Sequence, residues 1–311
     1  IEVFAFGAGT IGGTMIDQIH EQREKLLKEN VDIKVLAITT IDGMILNEDG
    51  IDLSNWRDQM KKPDFPFGPQ NVDDIIKFVK DKKPLNPVFV DCTASYDLPE
   101  RYLDILNAGM SIATPNKRAN SMDINFYHEL RRTANKMHRR FLYETNVGAG
   151  LPIIDTLQNL YKSGDKLMSF NGIMSGSLSY IFGKLDEGVK FSQAVKEAKE
   201  LRYTEPDPRD DLEGKDVARK ALIIARESGY DIELTDIEMF KVFPDSFDPS
   251  GTVEEFMAKL PQVDDYFAKK MAELKKKNMV LRMGATIKDG KASVGMMEVS
   301  TDDPLYSVRG G

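Results

Sequence analysis

Near the start of the chain, GAGTIGG sets three glycines at the spacing Gly7-x-Gly9-x-x-Gly12. Such a spacing serves a phosphate. The first glycine permits a tight turn, the second lets backbone approach a pyrophosphate, and the third lets a helix pack close to a strand. Here the match follows a strand-like run and opens a helical pattern, which is the context that gives it meaning. The helix N-terminus then favours the phosphates. Dinucleotide binding is the stronger reading, and a merely tight turn is the alternative. An acid at the end of the second strand would hold the adenosine ribose of NAD, and a base there would favour NADP. Thr39 and Thr40 stand at that point, Asp42 lies just beyond, and no Lys or Arg sits beside them. This leans to NAD or to tolerance of both, with Asp42 equally a turn residue before Gly43.

Four further stretches carry reactive side chains. Asp91-Cys92-Thr93-Ala94-Ser95 ends an apolar run, and ligands of open α/β sheets bind at the carboxyl ends of strands. Thr93 and Ser95 can therefore meet the nicotinamide half. Cys92 has no histidine nearby in sequence to activate it, and it reads as a small buried hydrophobe. Lys117 in Thr114-Pro-Asn-Lys117 is either an exposed loop lysine or a group in the crevice shared by Gly9 and Thr93. Glu144-Thr-Asn-Val-Gly-Ala-Gly150 reads first as a hinge, and second as carbonyls that with Glu144 could bind a hard cation. The run from Thr204 to Lys220 holds six acids and four bases in seventeen residues. It is no calcium loop, because Arg209 and Leu212 stand where an oxygen ligand and a glycine are needed. From Asp211, a plausible cap, the spacing predicts a helix with Val217, Ala218, Ala221, Leu222, Ile224 and Ala225 on its apolar face. Lys220 falls at the edge of that face and Asp216 one turn earlier. They form either a surface ion pair worth about 0.3–0.5 kcal/mol or a cleft lysine with its acid.

The elements that must hold these groups alternate. Strands are expected at residues 1–7 and 33–39, within PVFVDCTAS and SIATPNK, and within RRFLYETNVGAG. Helices are expected between them, over 72–79, 99–108 and 124–134. Continuous rather than alternating apolar runs fit a parallel sheet covered on both faces, so the expected fold is α/β, a Rossmann-type doubly wound parallel sheet. Residues 47–71, with the one tryptophan, Trp56, read as an insertion over that sheet. The rhythm changes near residue 144. There a second, α+β domain is expected: a helix from about Pro152, the segment KLMSFNGIMSGSLSYIFGKL, two charged helices, a lysine-rich helix over 253–277, and two strands over 279–299 joined by the turn KDGK. The expected domains are 1–143 and 144–311.

Composition narrows the function classes. The chain has 311 residues, 41% of them hydrophobic and 30% charged, with a net charge of −8. That balance argues against a nucleic-acid binder. The one basic cluster, Arg131, Arg132, Lys136, Arg139 and Arg140, reads as a solvated helix face. No apolar run approaches the ~18 residues of a membrane span, and no secretory signal precedes the first strand. One cysteine permits no internal disulfide and suits a reducing cytoplasm. No Cys/His cluster has zinc spacing, and His20, His128 and His138 read as surface residues. Ile1 already lies inside a strand, so the chain is expected to be a domain cut from something longer.

Taken together, GAGTIGG, VDCTAS, TPNKRAN, LYETNVGAGLP, NGIMSGSLSYIFGKLDEG and TEPDPRDDLEGKDVARK resemble homoserine dehydrogenase over essentially the whole chain. The wording is similar to the form fused behind an aspartokinase. The resemblance implies reversible NAD(P)H-dependent reduction of L-aspartate 4-semialdehyde to L-homoserine, by direct hydride transfer, in threonine, methionine and isoleucine biosynthesis. It makes Lys220 the acid that protonates the developing alkoxide, with Lys117 assisting and touching the cofactor. It assigns Glu205, Asp216, Asp211 and Ser177 to the substrate. Gly7, Gly9, Thr10, Ile11, Gly12, Thr40, Thr93 and Ser95 go to NADP or NAD. Glu144, Val147, Ala149 and Leu151 go to a monovalent cation, sodium in that family, which would stabilise the nascent oxyanion. It also implies a homodimer formed through the sheet near 279–299 and a cytoplasmic setting, or a plastid in a plant. Two departures stand out. The pattern has Gly where this chain has Arg202, and if that position takes positive φ, arginine costs about 1 kcal/mol or more there. The family continues beyond Gly311 with a glycine-rich return segment to the first domain. A phosphorylating semialdehyde dehydrogenase would need Cys92 with a histidine partner. A nucleotide sensor would bind NAD(P) without turnover.

Overall fold

The computed structural model describes residues 1–309. Gly310 and Gly311, at the end of the expected second domain, lie outside the described residues. Internal contacts divide the chain into two compact units, Ile1–Pro152 and Ile153 onward.

The first unit is built on a six-stranded sheet in the order β3-β2-β1-β4-β5-β6. Its strands are β1 (Glu2–Phe6), β2 (Lys34–Thr40), β3 (Gly43–Leu46), β4 (Pro87–Asp91), β5 (Ser111–Ala113) and β6 (Phe141–Leu142). All neighbouring pairs are parallel except β2 and β3, which are antiparallel. The sheet is therefore mixed, and the short edge strand β3 departs from the wholly parallel expectation. Gly43 starts it at φ 149°, where an added Cβ would fall 2.4 Å from the Phe65 carbonyl oxygen.

Both faces of this sheet are covered, which is why its strands read as unbroken apolar runs. Phe4, Phe6 and Phe89 face the helices Gln70–Lys82, Tyr102–Asn107 and Ile124–Lys136. Val3, Ala5 and Ile38 face Ile16 and Trp56. Trp56 anchors the expected insertion: it is buried, and its indole N–H donates to Asp17 at 3.0 Å. Chain order reverses on either side of β1, with β2 to one side and β4 to the other. That switch point opens a crevice at the strands' carboxyl ends.

The second unit has a four-stranded sheet in the order β7-β9-β10-β8, with β7 (Ser169–Gly172), β8 (Glu238–Met239), β9 (Met279–Lys288) and β10 (Lys291–Ser300). The expected hairpin turns through Asp289 and Gly290, at φ 51° and 75°, as a two-residue turn matched to strand twist requires. Helices Gly176–Asp186, Lys215–Glu227 and Asp264–Lys276 pack on this sheet. Phe191 and Phe267 stack at 4.0 Å in the core beside Phe182. Two expectations are corrected. A single helix, Phe191–Glu200, rather than two, precedes the charged run. The helix expected over 253–277 breaks into Val253–Lys259 and Asp264–Lys276 around a 3₁₀ turn containing Pro261, since proline removes a donor and clashes with the preceding turn.

Arg282 on β9 is fully buried. Its guanidinium lies 2.9 Å from the Asp186 carboxylate and donates to the Tyr306 carbonyl at 2.7 Å. The ion pair is close, but its geometry gives neither carboxylate oxygen a well-directed hydrogen bond. The Tyr306 contact is the better-aimed one.

Candidate active site

In the first unit the three glycines do what their spacing requires. Gly7 sits at φ 83°, and a Cβ there would come within 3.0 Å of the Cys92 backbone. At Gly12 an added Cβ would lie 1.9 Å from the Gly7 oxygen, whereas nothing stands within 4 Å of Gly9. That openness leaves room for a ligand against bare backbone. Gly9 caps the helix Thr10–Glu21 without a side-chain hydrogen bond, and the first turn carries no acid. The amides of Thr10, Ile11 and Gly12 have no backbone acceptor outside the helix among the described residues, and Thr10 and Ile11 are exposed, an arrangement that fits an anion. Thr40 closes the end of β2, where its hydroxyl accepts from the Asp42 amide at 3.1 Å.

The loops after β4 and β5 meet around buried Asp91. Its carboxylate accepts from the Thr93 amide at 2.7 Å and from the Tyr102 hydroxyl at 2.6 Å. The Thr93 hydroxyl accepts from the Ser95 amide at 3.1 Å. Lys117 follows at the start of the short helix Arg118–Ser121. Burial raises the Asp91 carboxyl above its ordinary range. Burial, reinforced by the Asp91 charge, pushes the Cys92 thiol up to about 11. Cys92 is thus a poor nucleophile.

In the second unit, Lys220 lies on the helix Lys215–Glu227 with its side chain 16% exposed. Its ammonium donates to the Met174 carbonyl at 2.6 Å and pairs with Asp216 at 2.6 Å. Ser175 caps the helix Gly176–Asp186. From there a chain of bonds runs outward: Ser175 and Ser177 hydroxyls at 2.9 Å, Ser177 to Asp211 at 2.6 Å, and the Glu205 amide to the other Asp211 oxygen at 2.8 Å. The expected capping by Asp211 is corrected. Gly214, at φ 69°, precedes the long helix, and Asp207 caps the short helix Pro208–Leu212 before it. Proline at the start of that short helix and glycine after it divide the run in two. The Glu205 carboxylate is exposed, without an ion pair among the described residues.

Arg202 takes φ 59°. The Tyr203 amide returns to the Ala198 carbonyl at 2.9 Å and the Arg202 amide to Lys199 at 3.0 Å. This is a Schellman ending to the helix Phe191–Glu200, with arginine in the position that favours glycine.

The model of the family described as homoserine dehydrogenase matches residues 152–311, and that of its NAD binding domain matches residues 7–144. The chain belongs to the homoserine dehydrogenase family. A homoserine dehydrogenase of Schizosaccharomyces pombe is 36% identical over 291 residues, covering 91% of this chain and 76% of that protein. A bifunctional aspartokinase/homoserine dehydrogenase of Haemophilus influenzae is 45% identical over the whole chain, which spans 38% of that relative's length. Among solved structures, a Candida auris protein described as of unknown function is 34% identical with a TM-score of 0.90, covering 100% of this chain and 87% of its own. A hyperthermophilic archaeal homoserine dehydrogenase in complex with NADPH is 26% identical with a TM-score of 0.72, covering 98% and 84%.

In this chain the segment after β6 keeps Val147 buried and Leu151 exposed. Gly148 and Ala149 turn it at φ 80° and 50°. The carbonyls of Val147, Ala149 and Leu151 accept no backbone hydrogen bond among the described residues. Oxygen donors of this kind, with Glu144 beside them, fit a hard cation. Among the described residues no three His, Cys, Asp or Glu side chains gather as a metal site, and no helix is long and apolar enough to cross a membrane.

The sequence reading missed several groups. Arg131 was grouped with a solvated basic face, yet its guanidinium lies 3.3 Å from the Tyr127 ring centroid. It donates to the Tyr143 hydroxyl at 2.6 Å and to the Asn120 side-chain oxygen, Oδ1, at 3.1 Å. A tyrosine one helical turn before it was the available signal. Asn116, Asn120 and Asn146 are buried at the strand ends, and nothing in their local sequence marks them.

Proposed function

We propose that this chain catalyses the reversible reduction of L-aspartate 4-semialdehyde to L-homoserine with NADPH or NADH. Lys220 carries the reading. Two of its three N–H bonds are committed, to the Met174 carbonyl and to Asp216, so the third is left for a substrate oxygen. Asp216 and Met174 orient the ammonium, and Nζ gives a proton to the aldehyde oxygen as it becomes a hydroxyl. In the other direction Nζ takes that proton back. When bound, the nicotinamide supplies or accepts the hydride at the carbon.

Each remaining side chain has a binding role in this proposal. The exposed Glu205 carboxylate pairs with the substrate ammonium. Ser177 and Asp211 hold the Glu205 backbone. Gly7, Gly9, Thr10, Ile11 and Gly12 receive the pyrophosphate. Thr40 meets the adenosine ribose, and Thr93, Ser95 and Lys117 meet the nicotinamide side. Glu144 with the carbonyls of Val147, Ala149 and Leu151 takes a sodium ion. Fusion to an aspartokinase, pairing into a homodimer, and a cytoplasmic or plastid setting belong to the same reading. Its support is the run of family motifs and the fused relatives.

The test is homoserine-dependent reduction of NAD and of NADP, followed by absorbance, for this chain and for Lys220→Ala. The variant is expected to lose about 10²- to 10⁴-fold in kcat, the range of a positioned proton donor, with NADPH affinity within about twofold. A folded variant turning over near the parent rate would remove Lys220 from the mechanism.

A further inference from the structure

Asn116 touches both loops that the proposed reaction uses on the first unit. The residue is 6% exposed. The nitrogen donates to the Ser95 carbonyl at 3.0 Å and to Asp91 Oδ2 at 3.2 Å, and the oxygen accepts from the Arg118 amide at 3.0 Å. The Asn116 amide itself donates to Thr114 Oγ1 at 2.9 Å. Thr114 Oγ1 in turn donates to the Asp91 carbonyl at 2.8 Å. Lys117 is thus flanked by two backbone amides, at 116 and 118, that are both fixed. The same side chain that fixes one of them closes the Ser95 loop. A second tie runs beside it, where the Arg118 guanidinium lies 3.2 Å from the Tyr96 ring centroid.

We infer that Asn116 is a positioning residue that couples seating of the cofactor at Thr93–Ser95 to the orientation of Lys117. The inference rests on the reading that Lys117 serves the reaction. Only a carboxamide of this length donates twice and accepts once at these three points. Aspartate keeps the shape and the acceptor but loses both donors and sets a second carboxylate against Asp91. Alanine cuts the two loops apart. Thr114 extends the connection further: its carbonyl accepts from the buried Asn146 at 3.0 Å, and Asn146 accepts from Asn120 at 2.9 Å. The loop at 143–151 therefore hangs from the same strand end.

The experiment uses the full chain with Asn116→Ala, Lys117→Ala and the double variant, and Asn116→Asp in parallel should alanine not fold. NADPH binding is read by fluorescence titration and kcat by absorbance. Asn116→Ala is expected to lower kcat about 10- to 100-fold, the scale of misplacing a reacting group by ~1 Å, and to weaken NADPH binding severalfold. In the Lys117→Ala background it should change kcat less than about twofold, because groups acting as one unit are not additive. Equal losses with and without Lys117 would reduce Asn116 to general support and overturn the inference alone. Unchanged NADPH affinity in folded Asn116→Ala would also overturn it. Full kcat in Lys117→Ala would overturn the role of Lys117 and the inference with it.

Discussion

Arg202→Gly should stabilise the second unit. An L-residue held in the left-handed region costs roughly 1–2 kcal/mol, and Arg202 is held there at φ 59° by the two closing bonds of its helix. Its side chain is exposed and makes no hydrogen bond or ion pair among the described residues, so glycine forfeits no contact. Glycine does return about 0.4–1 kcal/mol to the unfolded chain as entropy. The difference leaves a net gain of about 0.5–1 kcal/mol. For a unit of this size, 1 kcal/mol moves Tm by ~2–4 °C, so the expected rise is about 1–4 °C. Urea unfolding should show a higher midpoint at unchanged slope. Arg202→Ala is the control. It keeps a Cβ in the same backbone well and should stay within a few tenths of a kcal/mol of the parent, as surface substitutions usually do. If Arg202→Gly proves no more stable than Arg202→Ala, the strain argument is wrong.

Gly12→Ala should abolish NADPH binding by fluorescence titration and lower stability by ~1–3 kcal/mol, the usual cost of overpacking. Its methyl would be driven into the Gly7 carbonyl; retained binding would show that the helix can shift to admit it. Cys92 should alkylate about 100-fold more slowly in the native than in the unfolded chain near pH 8, because thiolate is the reactive form and burial lifts the thiol from 9.0 to about 11. In that window the native chain keeps a proton that the unfolded chain has lost. The group's contribution to stability therefore falls as pH rises from about 9 to 11. Rapid native alkylation with loss of turnover would revive the nucleophile reading.

The cradle was legible because its three glycines fall within six residues between a strand and a helix, although the Cys92 backbone that crowds Gly7 comes from a remote strand end. The helix bearing Lys220 was legible because its apolar face repeats at helical period. Its cap was misplaced by three residues, Asp211 for Gly214: Asp211, a good cap by type, is taken instead by Ser177 and the Glu205 amide, partners remote enough that local propensity is silent about them. The edge strand β3 was invisible because four residues beside a polar insertion carry too short a pattern. The asparagines around Asp91 were hidden for another reason. A buried amide earns its place through partners on other strands, and Asn116 and Asn146 meet Ser95 and Thr114 only after the sheet has formed.

The clasp at Arg282 sets a lower limit on how far the second unit can be trimmed by an engineer. The guanidinium is sealed from water and relies on the Tyr306 carbonyl, at the end of the chain's last described turn. Cutting before Pro304 would remove that acceptor and leave the cation with the Leu281 carbonyl and an imperfectly directed Asp186, and losing a hydrogen bond to a charged group costs about 1.5–3 kcal/mol. A minimal version of this unit must run through Tyr306, or replace Arg282 and Asp186 together with apolar residues of matching volume.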